Sequence, residues 1–253
     1  MNKRLWLTGL ICIVAFGSSA MAVPQGGGYL SLPDSTSGVS WFGNEVWSAG
    51  ADGSFSLECW FNPATGGDGW ILNNGEGNDI RMFDSGGLIW QVYAGDFMNL
   101  ISSSKPTVGA WNHVVGVFDD ANDLTRLYLN GVEAAGSPLT GVTGTRTGAL
   151  QGIGTIGGRE APAGGLLVDE VACYTSALSA ADVTARYNGG VGLAAAGAGF
   201  NLDVQMVDPT YGNVTPRIQG GLATLDGNAV IVPEPATLAL LAVGGVLGIR
   251  RRH

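Results

Sequence analysis

The sequence predicts an antiparallel all-β domain with one short helix near its end, and three observations carry that expectation. The chain holds 42 glycines and only 13% charged residues, so short apolar segments alternate with Gly, Asn and Asp in the rhythm of strands and turns. In "GSFSLECWFNP" the residues Phe55, Leu57, Cys59 and Phe61 share one face of a strand while Ser56, Glu58 and Trp60 share the other. The pair Asn130-Gly131 follows a strand-like run and favours a type I′ turn, in which both central positions need positive φ.

The strands follow in order. "YLSLP" is an alternating strand from Tyr29 stopped by Pro33, and a polar loop carrying Trp41 and Trp47 comes next. After the strand at 55–61, "GWILNNGEGNDIRMFDSGGLIWQVYAG" reads as three short strands around Trp70–Leu72, Ile80–Phe83 and Leu88–Tyr93, with Gly75, Gly77, Gly86 and Gly87 in the turns. Two more, Asn112–Phe118 and Thr125–Leu129, lead to the hairpin at Asn130-Gly131. A strand over Leu166–Tyr174 precedes the helix, in which Ser179 caps the first turn, Asp182 completes a capping box and Asn188-Gly189 supplies the stop. From 191 to 231 the composition drifts to Ala and Gly; this stretch reads as an extended stalk, with strands returning to the sheet as the alternative.

The N-terminus has Lys3 and Arg4, an apolar core from Leu5 to Phe16 and the ending Ala20-Met21-Ala22. That pattern is a secretory signal peptide over 1–22, cut between Ala22 and Val23; a membrane helix needs roughly 20 apolar residues, and this run is shorter. Two of the 12 Lys and Arg lie in this leader and three at the C-terminus, leaving seven against 21 Asp and Glu, a net charge of about −14. Such a surface repels nucleic acid and anionic lipid. With Cys12 removed, Cys59 and Cys173 remain, and an oxidising compartment leaves open one disulfide or two unrelated buried thiols.

The succession "SFSLECWFNP", "WNHVVGVFDDANDLTRLYLNGVEAA", "IGGR" and "VDEVACYTSALSAADVTARYN" resembles the laminin G-like, concanavalin A-like jelly-roll family, over a domain placed at 23–190. The resemblance implies a two-sheet antiparallel sandwich with the apolar strand faces buried between the sheets. It also implies that the final strand lies beside "SLECWF", which would bring Cys59 and Cys173 together as a disulfide between neighbouring strands.

The C-terminal segment 232–253, "VPEPATLALLAVGGVLGIRRRH", resembles the PEP-CTERM sorting signal of Gram-negative bacteria that make extracellular polysaccharide. Val232, Pro233, Glu234 and Pro235 match its entry element, and Arg250, Arg251 and Arg252 its basic end. The resemblance implies recognition and cleavage by an inner-membrane exosortase after Sec export, transient inner-membrane association, and a cell-surface or extracellular-matrix destination. Ala236 to Ile249 is 14 residues long, about 21 Å as a helix, short of a hydrocarbon core of about 30 Å. Three arginines hold its end in the cytoplasm.

No catalytic set emerges. Glycoside hydrolysis needs two carboxylates across a cleft, whereas Glu58 stands alone on its strand and the adjacent Asp169 and Glu170 point to opposite faces. His113 is the one histidine outside the arginine tail and reads as structural. Asp119, Asp120 and Asp123, with Asn122, cluster oxygen ligands suited to calcium, but Asp and Asn also form ordinary turns. Trp41 and Trp47, in a Gly/Ser-rich loop, are the candidate aromatic platforms for a sugar. The expected function is an exported, non-enzymatic binding protein whose partner is extracellular polysaccharide or another surface protein; the alternatives are a hydrolase or lyase on the same scaffold and a purely structural matrix component.

Overall fold

Strand β3 (Phe55–Pro63) runs through the middle of one sheet with both faces covered. In this computed structural model, residues 29–42, 53–73, 78–83, 86–93, 96–142, 153–157, 164–174, 176–189, 198–202, 217–218 and 221–232 are described. Around β3 lie β1 (Tyr29–Leu32), β8 (Asn112–Asp119), β9 (Leu124–Leu129), β13 (Leu166–Tyr174) and β17 (Val230–Val232), in the order β17-β1-β13-β3-β8-β9. The two-residue strands β10 (Val132–Glu133) and β11 (Leu139–Thr140) pair with β9 beyond. The second sheet holds β2 (Gly38–Phe42), β4 (Gly69–Asn73), β5 (Asp79–Phe83), β6 (Gly87–Tyr93), β7 (Phe97–Ser102), β12 (Ile153–Gly157) and β16 (Gly221–Asp226). Its order is β16-β2-β12-β4-β5-β6-β7. All pairings are antiparallel.

The inner faces meet as the alternation demands. Phe55, Leu57, Cys59 and Phe61 pack with Ile80, Met82, Leu88, Trp90, Val114 and Phe118 in one buried cluster. Trp90 lies edge-on to Phe55, ring centroids 5.8 Å apart, and its indole N–H donates to Thr125 Oγ1 at 2.6 Å, which ties the two sheets together. Gly116 lies under that indole: a Cβ there would meet the ring at 2.5 Å.

The hairpin and helix form where the sequence places them. Asn130 and Gly131 have φ of 52° and 77°, and Leu129 pairs with Val132 across the turn. Helix α1 (Ala180–Gly189) opens with a reciprocal box: Ser179 Oγ accepts from the Asp182 N–H at 3.2 Å, and Asp182 Oδ2 accepts from the Ser179 N–H at 3.1 Å. The Ser179 hydroxyl, which donates to Asp182 Oδ2 at 2.6 Å, and then the Ser179 N–H hold the Asp182 carboxyl below the usual range.

Two expectations are corrected. Within the stretch favoured as a stalk, the described residues include strands that join the sandwich: β14 (Ala198–Leu202) pairs with β13, β15 (Arg217–Ile218) joins β14 to β16, β16 pairs with β2 and β17 with β1. The disulfide does not form either. In the register of β13 on β3, Cys173 lies opposite Leu57, two residues along the strand from Cys59, and Cys59 faces Val114 on its other side. Cys59 is a free, fully buried thiol, and burial pushes its pKa well above the ordinary thiol value.

Candidate functional site

Each sheet has an outer face, and the two differ. On the first sheet, Glu58, Trp60, His113, Val115 and Val117 point outward, and α1 covers them. Val183 of the helix packs on Val115, Val117 and Tyr128. Glu58 is wholly buried, and three partners satisfy it: His113 Nε2 donates to Oε1 at 2.7 Å, the Tyr174 hydroxyl donates to Oε2, and Arg186 Nη1 lies 3.7 Å from Oε2. Arg186 also donates to the Tyr174 hydroxyl at 2.7 Å and sits 4.6 Å above its ring. Tyr187 stacks on Trp60 with centroids 5.7 Å apart. Sequence reading treated Glu58 and His113 as solitary because the strand pairing that joins them is not written in either strand. With both side chains sealed from solvent, this cluster docks the helix and offers no surface to a substrate.

The outer face of the second sheet is open, and register builds it in rows. Tyr93 opposes Phe97; Asp79, Gln91 and Asn99 align across β5, β6 and β7; Trp70, Arg81, Ile89 and Ile101 align across β4 to β7. The Tyr93 and Phe97 rings are 5.1 Å apart, and Gln91 Nε2 donates to Asn99 Oδ1 at 2.6 Å. Phe97 is 53% exposed and Ile101 59%. Strand β7 went unassigned from sequence, since "FMNLIS" has apolar residues on both faces; its exposed Phe97 and Ile101 are the signal that could have marked the face.

At the inner end of the middle row Asp79 is completely buried, and neither carboxylate oxygen has a hydrogen-bond partner. Arg81 Nε lies 3.7 Å from Oδ1. Burial raises the carboxyl to about 6, with the Arg81 charge acting in the opposite direction.

The residues singled out from sequence fall elsewhere. Trp41 lies on β2, opposite Gly154 and Ala223, rather than in a loop, and its side chain is outside the described residues, as is all of Trp47. Asp119 ends β8, Asp120 starts a single 3-10 turn (Asp120–Asn122), and Asp123 closes it with φ of 50°. Asp119 Oδ2 accepts from Asn122 Nδ2 at 2.8 Å, and the Asp120 N–H donates to Ser54 Oγ. The three carboxylates thus lie in a hairpin turn held by a local Asn122 bond and a long-range one to Ser54. Among the described residues no group of three or more His, Cys, Asp or Glu is arranged to hold a metal ion. The Ala22-Val23 cleavage point and residues 233–253 lie outside the described residues, while Val232 ends β17.

Comparison with known proteins supports the architecture. Residues 24–184 match the concanavalin A-like lectin/glucanases superfamily, and residues 232–252 match the PEP-CTERM protein-sorting motif. A Bacteroides ovatus protein, titled as a candidate carbohydrate binding protein, shares the fold at 20% identity and a TM-score of 0.60, over 82% of this chain and 60% of that one. The SAP-like pentraxin of Limulus polyphemus aligns at 14% identity and a TM-score of 0.54, over 82% and 95%. The receptor binding domain of a botulinum neurotoxin C/D mosaic aligns at 16% identity and a TM-score of 0.50, over 64% and 42%. The chain thus spans less than two thirds of the Bacteroides and toxin chains. No curated protein matches at a significant level.

Proposed function

From the chain's membership of the concanavalin A-like lectin/glucanases superfamily, we propose that it is an exported, non-enzymatic binding module that holds a neutral polysaccharide on the outer face of its second sheet. The PEP-CTERM motif at 232–252 directs it to the cell envelope or the extracellular space. In this reading an exosortase of a Gram-negative inner membrane processes the motif, and the product works at the surface or in the matrix.

The observation that carries the reading is the row structure of that face. Aromatic rings (Tyr93, Phe97, Trp70) flank a strip of amides (Gln91, Asn99), so apolar sugar faces meet rings while hydroxyls meet donors and acceptors. The basic group in these rows, Arg81, is engaged with Asp79, and the chain is acidic overall, which disfavours uronic or sulfated chains. The rows contain one carboxylate, Asp79, where glycoside hydrolysis calls for two about 5–5.5 or 6.5–9.5 Å apart.

The test is retention of the purified protein on a panel of neutral and acidic polysaccharides, with and without calcium, with reducing-end release followed in parallel. Retention on neutral glycans without cleavage, lost in Tyr93→Ala/Gln91→Ala, supports the proposal. Released oligosaccharide, or retention that survives the double substitution, overturns it.

A further inference from the structure

The sorting motif begins at the last residue of a strand. β17 pairs antiparallel with β1, Tyr29 opposite Val232, Leu30 opposite Ile231 and Ser31 opposite Val230. Val232, where the sorting motif begins, is thus a sheet residue, and Pro233 follows it directly. Proline, lacking an N–H, suits the point where strand pairing stops.

The turn behind β17 is fastened as well. Asp34 accepts from Asn228 Nδ2 at 2.8 Å, from the Thr36 N–H at 3.0 Å and from the Thr36 and Ser37 hydroxyls; Ser37 Oγ accepts from the Asn228 N–H at 3.2 Å. Gly227, at φ 62°, lies so close to Thr36 that a Cβ would meet its carbonyl oxygen at 2.8 Å. The β1–β2 turn therefore grips the β16–β17 turn.

Three residues, Pro233 to Pro235, separate this strand from the apolar run that starts at Ala236. Fully extended they span about 10 Å, little more than the roughly 5–8 Å of one headgroup layer. The apolar run is itself shorter than the hydrocarbon core, which draws the tether further inward.

The side chains at this edge fit such a position. Neither β1 nor β17 carries a charged residue. Tyr29, Val230 and Val232 share the outer face by register, Val230 is 49% exposed, and Tyr29 packs edge-on against Trp111 with centroids 5.9 Å apart. Aromatic pairs of this kind suit the membrane–water boundary.

We propose that β17 is a clamp: it fixes the sorting signal to the folded domain, so that while the chain is anchored the β1–β17 edge, with Tyr29, Trp111 and Val230, rests on the lipid headgroups. β17 stays in the sheet when the tail is removed. The proposal rests on the sorting reading above, and the test separates the two.

The chain from Val23 to His253, with Cys59 and Cys173 replaced by alanine, is reconstituted into phosphatidylethanolamine/phosphatidylglycerol vesicles containing a headgroup-labelled quencher. A fluorophore is placed at Ser31→Cys or at Val132→Cys; Val132 is 69% exposed on β10, which pairs with β9 at the edge of the sheet far from β17. Quenching at Ser31→Cys should exceed that at Val132→Cys severalfold. A Gly/Ser spacer of about twelve residues after Val232, with an r.m.s. reach of about 20 Å, should abolish the difference. A chain that stays off the vesicles overturns both the sorting reading and the clamp. A bound chain with equal quenching at the two positions, or a difference that survives the spacer, overturns the clamp alone. Hydrogen exchange of the unlabelled bound chain provides a second measurement: protected amides at 230–232 support the clamp, and fast exchange there while β3 stays protected overturns it.

Discussion

His113 Nε2 and Glu58 Oε1 meet at 2.7 Å in a site from which solvent is excluded on every side. The residues lie on neighbouring strands, where Trp60 opposes His113, and the carboxylate is shared with Tyr174 and Arg186. A buried carboxylate is tolerated only with its lone pairs satisfied. Here the satisfaction comes partly from the helix, so helix docking and the burial of Glu58 require each other.

Glu58→Ala is therefore expected to lower the unfolding free energy by about 3–5 kcal/mol, the cost of leaving Arg186 and His113 without their anion. Glu58→Gln, which keeps an acceptor of the same shape, should cost roughly 1–3 kcal/mol. Urea denaturation measures both, and hydrogen exchange should show α1 amides losing protection first. An alanine variant as stable as the native chain would refute the docking role.

Gly116→Ala should destabilise by about 1–3 kcal/mol, because its methyl must displace the Trp90 ring that lies 2.5 Å from it. The loss of the Trp90–Thr125 bond should appear as a shift in near-ultraviolet circular dichroism. An unchanged melting temperature would show that the ring has another place to go.

Asp79 makes stability depend on pH in a stated direction. Its folded value, about 6, lies above the ordinary 3.8, so the folded state prefers the protonated form. Below pH 4 both states are protonated and there is no penalty. The penalty grows between pH 4 and 6 and stays constant above, at about 3 kcal/mol. Asp79→Asn should thus raise the melting temperature at pH 7 and leave it unchanged at pH 3.5; an equal effect at both values would contradict the account.

Asp34 works in the opposite sense. Its bonds to Asn228, Thr36 and Ser37 hold its carboxyl well below the usual range, so its contribution is present above pH 4 and fades as pH falls further. Asp34→Ala should speed amide exchange at 228–232 without changing exchange in β3 and β8. Acidifying the native protein should do the same.

Phe97 is more than half exposed, so Phe97→Ala should change stability by less than about 0.5 kcal/mol. Glycan retention should nevertheless fall about tenfold, equivalent to roughly 1.4 kcal/mol of binding. Titration of the two proteins side by side checks this, and equal affinities would remove Phe97 from the site.

The sequence by itself determined the β class, the strand faces of "SFSLECWF", the hairpin at Asn130-Gly131, the capping box at Ser179 and Asp182, and the sorting tail. Each depends on residues near one another in the chain, where a period of two, a positive φ or a short hydrogen bond leaves its mark locally. Tertiary structure decided what those elements meet. The period-two pattern put Glu58 and Trp60 on the second face of β3 but could not say that a helix more than 100 residues later would bury them. It could not place Cys173 opposite Leu57, because the bulge after Asp169 is a property of the pairing. Nor could it align Tyr93 with Phe97, or Gln91 with Asn99, until β7 was seen to pair with β6. The sequences of β14, β16 and β17 carry too little pattern to announce themselves as strands; their partners, β13, β2 and β1, make them so. Register is a long-range quantity, set by which faces can be buried together, and here register places both the open face and the strand whose last residue, Val232, opens the sorting motif.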